Sequence, residues 1–166
     1  DLQPINKGII QNAGIGPTID EFVEAFARRS IYSVGDLYLG YDQFQLAVES
    51  RDITTMRTPL GLVRMFTLPQ GGTKWVAHMV NAMNKVLRDC IPDITIPFFD
   101  DVVPDITMSF LDDIPIKGCP VEEKHETVRP DECWKFIADH IGDCEKVLQR
   151  LEGAHLTFYR EKSAFE

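Results

Sequence analysis

Three segments of the chain show the period of an amphipathic α-helix. Apolar residues recur every three or four positions in residues 19–28, 73–89 and 131–152. The apolar stripe predicted for the third segment consists of Trp134, Ile137, Ile141, Cys144, Leu148 and Leu151. Gly153 follows this stripe and is predicted to be the residue that ends the helix. The pattern therefore predicts three helices, each with one buried face.

Short runs rich in β-branched and aromatic residues predict strands around these helices. Residues 30–37 read as a buried strand with Asp36 near its end. Residues 54–57 and 62–67 flank a turn that contains Pro and Gly, and they predict a two-stranded hairpin. Residues 155–159 predict a closing strand after the last helix.

A tandem repeat of twelve residues lies between the second and third predicted helices. Residues 91–102 and 103–114 share the sequence Pro-Asp-Ile-Thr and an Asp-Asp pair. A solenoid needs at least about three repeats, so two copies indicate a local duplication. With the duplication set aside, the order of elements is β-α-β-β-α-β. The predicted fold class is α+β, with the ferredoxin-like split β-α-β arrangement.

Composition and charge exclude several classes of protein. The 166 residues include 17 Lys and Arg against 26 Asp and Glu, a net charge of −9. Bulk charge therefore argues against nucleic-acid binding, and such binding needs a local site. No apolar run approaches the roughly 18 residues of a membrane span, so no membrane partner is predicted.

The ends of the chain and its cysteines predict a compartment. The chain begins at Asp1 without an initiator Met or a secretory signal, and we expect a segment of a longer polypeptide. The four cysteines form no C-x-x-C pair and have no His at zinc-ligand spacing. They are predicted to be reduced thiols in a cytoplasmic or nuclear protein.

Carboxylates supply the candidate chemistry. The split β-α-β order places the strand that ends at Asp36 beside a hairpin that carries Asp112 and Asp113. Converging carboxylates repel one another unless a cation lies between them, and their oxygens suit Mg²⁺ or Mn²⁺. Two such ions clamp the attacking and leaving oxygens of a phosphoryl transfer. Either Asp-Asp pair alone is more commonly a solvated turn, so the hypothesis depends on the convergence.

Five motifs occur in order along the chain. They are DLYLGYDQ, RTPLG, LPQGGT, FLDD and LTFYREKSAF, which begin at residues 36, 57, 68, 110 and 156. Together they resemble the reverse transcriptase of gypsy-type long-terminal-repeat retrotransposons, over nearly the whole chain. The resemblance implies one polymerase palm with partial fingers across residues 1–166. Residues 1–30 and 50–68 would lie on the fingers side, and residues 31–49 and 69–166 in the palm.

The resemblance also implies an activity and its catalytic residues. The activity is RNA-directed DNA polymerisation, in which a primer 3′-hydroxyl attacks the α-phosphate of a deoxynucleotide. Asp36 matches the first catalytic Asp of the family, and Asp112 with Asp113 matches the catalytic pair. All three would ligate Mg²⁺, or Mn²⁺ in its place. The implied partners are an RNA/DNA template–primer, a deoxynucleotide, and the remaining fingers, thumb and ribonuclease H parts of the polyprotein.

Four further residues are assigned to substrate binding by the resemblance. Tyr41 matches the aromatic residue that stacks under the sugar and excludes a 2′-hydroxyl, and Leu37 belongs to the same motif. Gln70 and Gly71 match the loop that contacts the incoming nucleotide. Lys162 matches a lysine of the last motif, but as a lone lysine it is predicted to be a solvated charge.

The duplication leaves the identity of the catalytic pair open. Asp100 and Asp101 keep the family's distance from the preceding helix, whereas Asp112 and Asp113 keep the returning strand that follows the pair. We favour the second pair, because Val103-Pro104 makes a poor return strand.

Two other functions stay open at this point. The duplication, and Trp75 at a position where the family has small residues, leave the alternative of an inactive relic that retains the fold. An unrelated Mg²⁺-dependent phosphohydrolase would use the same acids, but it leaves Tyr41, Gln70 and the order of the motifs unexplained.

Overall fold

The computed structural model describes residues 3–8, 18–69, 71–96, 113–124 and 134–165. Its helices are α1 (Gln3–Gly8), α2 (Ile19–Phe26), α3 (Val48–Arg51), α4 (Thr73–Val86) and α5 (Lys135–Gly153). Its strands are β1 (Tyr32–Asp36), β2 (Met56–Thr58), β3 (Gly61–Val63), β4 (Asp113–Lys117) and β5 (Ala164–Phe165). Short 3₁₀ turns cover Gly40–Gln43, Asp52–Thr54 and Val121–Glu123.

The central sheet has the strand order β4-β1-β5, and both pairings are antiparallel. On the outer side of β4, Thr95 forms a β-bridge with Ile116. The spatial order is therefore residue 95, β4, β1 and β5. This order is the one expected for a split β-α-β unit, and the predicted α+β fold is confirmed.

The hydrophobic core lies between this sheet and the helices α4 and α5. Its fully buried members include Leu37, Met79, Met83, Leu87, Ile114, Ile116, Val147 and Leu151. Residues point alternately to the two faces of a strand. Ser33 of β1 contacts His140 of α5, and Leu37 joins the core, so the odd-numbered positions of β1 face the helices.

Two of the predicted helices form with small shifts at their ends. α2 begins after the capping box of Thr18, whose hydroxyl accepts from the Glu21 N–H while the Glu21 carboxylate accepts from the Thr18 N–H. That carboxylate bond lowers the pKa of Glu21. α4 ends at Val86, before the predicted 89, because the chain turns there at Leu87.

The third helix buries a face that is rotated from the predicted stripe: Cys144 and Leu151 are buried as predicted, but His140 and Val147 are buried instead of Ile141 and Leu148. Its buried residues are His140, Cys144, Val147 and Leu151, whereas Ile141 is 48% exposed and Trp134, the N-cap, is 38% exposed. The polar side chain of His140 is therefore buried at the level of the helix where the apolar pattern predicted Ile141. The Ser33 hydroxyl on the sheet lies within hydrogen-bond distance of His140 Nε2, which favours the burial of that side of the imidazole. Residues 131–133 of the prediction lie outside the described residues.

The end of α5 and the closing strand also differ from the prediction. Gly153 is the last helical residue, and the left-handed conformation falls on His155, with φ of 59°. Only Phe158 of the predicted strand 155–159 bridges β1, at Leu37, and the regular pairing belongs to β5. The predicted hairpin forms as the pair β2 and β3, shorter than expected.

No helix in the described part of the chain combines the length and the apolar character that a bilayer crossing requires. The described cysteines are free thiols: Cys90, Cys119 and Cys144. Cys133 lies outside the described residues.

A buried polar contact joins the sheet to α5. His140 is 1% exposed, its Nε2 lies 2.9 Å from Ser33 Oγ, and its Nδ1 is buried without a hydrogen-bond partner. Burial lowers the pKa of His140, and the Asp143 carboxylate partly opposes that shift. The imidazole is therefore neutral in the folded protein near neutral pH.

This lowered pKa predicts a loss of stability in mild acid. The unfolded chain protonates His140 near its ordinary pKa of 6.5, whereas the folded chain resists protonation. The free energy of unfolding is therefore highest above pH 6.5, and it falls as the pH drops from 6.5 toward the lower pKa of His140 in the folded chain. We expect His140→Gln to remove this pH dependence in urea unfolding, whereas His78→Gln, an exposed control, keeps it. If the free energy of unfolding depends on pH equally in the wild type and in His140→Gln, the prediction is wrong.

Candidate active site

Two of the predicted catalytic carboxylates lie directly opposite each other. Asp36, the last residue of β1, is the register partner of Asp113, the first residue of β4. Directly opposed residues in an antiparallel pair point to the same face, with Cβ atoms about 4.5–5.5 Å apart. Because the odd-numbered positions of β1 face the helices, both carboxylates lie on the face of the sheet opposite to α4 and α5. Both are half-buried.

The electrostatics of the pair are unfavourable for two negative charges. Burial raises the pKa of Asp113, the Asp36 carboxylate raises it further, and the Lys162 ammonium partly offsets both effects. Like charges at directly opposed positions destabilise a sheet. A cation between the two carboxylates would relieve this repulsion.

The third predicted carboxylate, Asp112, lies outside the described residues, as do Asp100 and Asp101. Within the described ranges, no group of three or more His, Cys, Asp and Glu side chains is placed to hold a metal ion. The pair Asp36 and Asp113 has the hard oxygen donors that Mg²⁺ and Mn²⁺ prefer. Mg²⁺ is commonly held by one or two carboxylates together with substrate phosphates, and these two side chains fit that pattern.

The strand beside Asp36 begins with the last two residues of the second copy of the duplication, Asp113 and Ile114. β4 begins at Asp113, and its other edge is fastened to the segment before the first Asp-Asp pair. There Thr95 Oγ1 donates to Pro115 O at 2.6 Å, and Lys117 N donates to Ile94 O at 3.0 Å. β4, which begins at the second Asp-Asp pair, is therefore bonded to the segment that precedes the first pair.

Two predicted substrate residues are packed into the core below the carboxylates. Leu37 is 2% exposed and Tyr41 is 4% exposed. Two backbone bonds flank Leu37: Tyr38 N donates to Thr157 O, and Tyr159 N donates to Asp36 O. The N–H and C=O of Leu37 itself therefore point away from residues 157–159. The side chain of Leu37 and most of the ring of Tyr41 are held by packing in the core.

The glycine of the predicted nucleotide loop has the conformation that glycine favours. Gly71 has φ of 93°, is exposed, and its carbonyl accepts from Asn6 Nδ2 at 2.9 Å. A side chain at this position would be strained. This loop is thereby joined to α1. Gln70 lies outside the described residues.

Trp75 is accommodated by the same loop. It is 7% exposed, and a Cβ on Gly72 would lie 1.8 Å from its ring. Trp75 also lines a groove of about 540 Å³ between α4 and the segment around Leu46. The large side chain therefore packs without displacing α4, because residue 72 is glycine.

An aromatic pair beside the carboxylates was not singled out from the sequence. The rings of Tyr38 and Tyr159 stack with centroids 5.7 Å apart and planes at 4°. Lys162 Nζ lies 5.2 Å from the centroid of the Tyr159 ring. The sequence signal for this pair is its spacing from charged residues of the motifs: Tyr38 follows Asp36 by two positions, and Tyr159 precedes Lys162 by three.

Comparisons with known proteins give relatives of one kind. No family model matches the chain. The chain is 28% identical over 101 residues to an RNA-directed DNA polymerase homolog of Oenothera berteroana, which covers 61% of this chain and 71% of that protein. It is 35% identical over 71 residues to the retrovirus-related Pol polyprotein from transposon 412 of Drosophila melanogaster, which covers 43% of this chain and 6% of that protein.

Solved structures show the same fold. The foamy viral protease-reverse transcriptase in complex with RNA/DNA hybrid matches with a TM-score of 0.71 and 21% identity, over 99% of this chain and 18% of that chain. The same enzyme in complex with dsDNA matches with a TM-score of 0.71 and 20% identity, over 99% and 28% of the two chains. The chain therefore spans less than a third of these structures.

These findings confirm the resemblance to reverse transcriptases and the polymerase-like fold. The gypsy type, the division into fingers and palm, and the roles of the individual site residues stay predictions.

Proposed function

We propose that this chain, a relative of reverse transcriptases, forms the palm and part of the fingers of an RNA-directed DNA polymerase. One observation carries the proposal: Asp36 and Asp113 are register partners on the face of the sheet opposite to α4 and α5. Both belong to motifs that occur in the order typical of that family. The intact pairing also supports an active polymerase over an inactive relic, because it keeps the two carboxylates together despite the duplication.

The rigid sheet has a direct role in the proposed chemistry. β1 is the central strand, and its neighbours hold Asp36 between Asp113 on one side and the turn at Ser163 on the other. Catalysis of phosphoryl transfer depends mainly on positioning and on fixed charges. The two carboxylates would hold Mg²⁺ or Mn²⁺, with Asp112 as the third ligand. The bound ions would activate the primer 3′-hydroxyl and neutralise the developing charge.

The substrate residues are proposed to bind the incoming deoxynucleotide. The ring of Tyr41, fixed in the core, would exclude a 2′-hydroxyl by contact with one edge of the sugar. Gly71 would allow the backbone to approach the nucleotide closely, with Gln70 beside it. The backbone of Leu37 would contact the nucleotide from the side of β1 on which Asp113 lies.

The partners follow from the same proposal. The structure neighbours include complexes with RNA/DNA hybrid and with dsDNA, which supports a template–primer as the partner of this chain. With a net charge of −9, this part supplies carboxylates, and cationic groups elsewhere would grip the phosphates. We propose that these belong to the remaining fingers, thumb and ribonuclease H parts of a polyprotein that acts in the cytoplasm or nucleus.

The experiment that tests the proposal is Mn²⁺ binding by calorimetry. The duplication supplies a matched control, because Asp100 and Asp112 occupy the same place in the two copies. We expect Asp36→Asn and Asp112→Asn to weaken Mn²⁺ binding at least about tenfold, since each removes a charged oxygen ligand. Asp100→Asn is expected to bind as the wild type does.

The opposite pattern is equally informative. If Asp100→Asn loses the ion and Asp112→Asn retains it, the first copy holds the catalytic pair and the site assignment is wrong. Absence of Mn²⁺ binding by the wild-type chain would favour the inactive relic.

A further inference from the structure

The stacked pair Tyr38 and Tyr159 lies outside the hydrophobic core. Tyr38 is 47% exposed, yet its ring lies parallel to that of Tyr159, with 5.7 Å between centroids. Offset stacking at this distance is favourable beyond the burial of area. Both tyrosines flank the strand end that carries Asp36, so the pair is placed to act on the carboxylate site.

The turn that carries Tyr159 is fastened to Asp36 itself. Tyr159 N donates to Asp36 O at 2.8 Å, and Asp36 N donates to Ser163 Oγ at 3.0 Å. Ser163 Oγ in turn donates to Tyr159 O at 3.0 Å. Lys162, between these residues, therefore leaves the backbone from a point that is fixed relative to Asp36.

The side chain of Lys162 is directed by the Tyr159 ring. Its Nζ lies 5.2 Å from the ring centroid, within the roughly 6 Å at which an ammonium is attracted to an aromatic face. An exposed lysine otherwise samples many rotamers around its four-carbon stem. The contact with Tyr159 restricts that freedom, and Tyr38 holds the Tyr159 ring in place.

We propose that Tyr159 is a positioning residue for Lys162, whose ammonium is the resident counter-charge of Asp36 and Asp113. The inference rests on the proposed function, because it takes these two carboxylates as the cation site. The ammonium reduces the repulsion between the carboxylates while no divalent ion is bound. When a divalent ion enters, the ammonium opposes it, so Lys162 sets how tightly the ion binds. Lys162 lies in the turn whose residues Tyr159 and Ser163 are bonded to the backbone of Asp36, so its side chain leaves the chain at the strand end that carries both carboxylates.

The test measures the dissociation constant of Mn²⁺ alone by electron paramagnetic resonance. We expect Lys162→Met and Tyr159→Ala to bind Mn²⁺ about three- to tenfold more tightly. Lys162→Met removes the positive charge from the site, and Tyr159→Ala removes the ring that holds the charge there. Tyr159→Phe keeps the ring and is expected to match the wild type. Lys135→Met is the charge control, since Lys135 pairs with Asp139 on α5. The difference should shrink at high salt.

A second measurement needs no metal. In the wild type, the ε-methylene protons of Lys162 should be shifted upfield by the ring current of Tyr159, and Tyr159→Ala should return them to the free-lysine position. Free-lysine shifts in the wild type would overturn the positioning role.

The metal data separate this inference from the proposed function. Unchanged affinity in Lys162→Met, together with lost affinity in Asp36→Asn, overturns the counter-charge and leaves the carboxylate site intact. If Asp36→Asn binds Mn²⁺ as tightly as the wild type, the carboxylate site itself is refuted, and the counter-charge role falls with it.

Discussion

Replacing Asp36 by asparagine is expected, under the proposed function, to lower the rate of primer extension by a polymerase that contains this chain by about a thousandfold, because the proposed metal-binding charge contributes several kcal/mol in such sites. Asparagine has nearly the same shape, so the pairing of β1 with β4 should persist. Loss of one of two repelling carboxylates should even relieve the sheet, since burial and Asp36 together raise the pKa of Asp113. Activity and stability are therefore expected to change in opposite directions.

The measurement pairs single-nucleotide incorporation on an RNA template with urea unfolding. Asp139→Asn is the control, because its carboxylate pairs with Lys135 on the solvent side of α5, away from the sheet. Exposed pairs of this kind contribute about 0–1 kcal/mol, so this variant should retain both activity and stability. An Asp36→Asn variant that extends primers at the wild-type rate would refute the assignment of Asp36.

Replacing Gly35 by alanine is expected to destabilise the chain by about 1–3 kcal/mol, the range found for overpacked cores. A Cβ on Gly35 would lie 2.2 Å from Cε1 of Phe158, closer than any real contact allows. The ring of Phe158 packs against the core and meets the Phe165 ring edge-on, so moving it away from residue 35 disturbs contacts beside the strand that holds Asp36. The free energy of unfolding in urea measures the effect.

A double-mutant cycle with Phe158→Leu tests the cause. The smaller side chain should remove most of the clash, so the two substitutions together should cost less than the sum of their separate effects. Gly142→Ala is the glycine control: its Cβ would meet nothing within 4 Å on the exposed side of α5. There alanine should stabilise the helix by about 0.5–1 kcal/mol. Additive effects of the Gly35 and Phe158 substitutions would show that the clash is not the cause.

Local patterns in the sequence were sufficient for the order of the elements. The periods of 3.6 and 2 depend on which side of each element is buried, and they predicted α2, α4, the hairpin and β1 to within a few residues. The stripe predicted for α5 was right at Cys144 and Leu151 but wrong at Ile141, because His140 is buried in its place. Ser33 Oγ, 107 positions away, lies 2.9 Å from the buried His140 Nε2, and no local pattern predicts that contact.

Part of the candidate site was likewise predictable from the sequence, and part depends on packing. Motif order in the sequence predicted the similarity to reverse transcriptases, and with it Asp36, Asp113, Tyr41 and Gly71. It could not predict that Leu37 and Tyr41 lie within the core, since burial depends on the packing of distant segments. Asp112 and Gln70 stay predictions from the motifs alone.

The sequence by itself determined the elements, their order and the residue types available for chemistry, because these depend on neighbours along the chain. The tertiary structure alone decided which groups meet. Strand register sets Asp36 against Asp113, and the turn after Phe158 brings Lys162 and Tyr159 to the same strand end. Register and turn geometry result from packing of the whole sheet against its helices, and no local pattern contains that information.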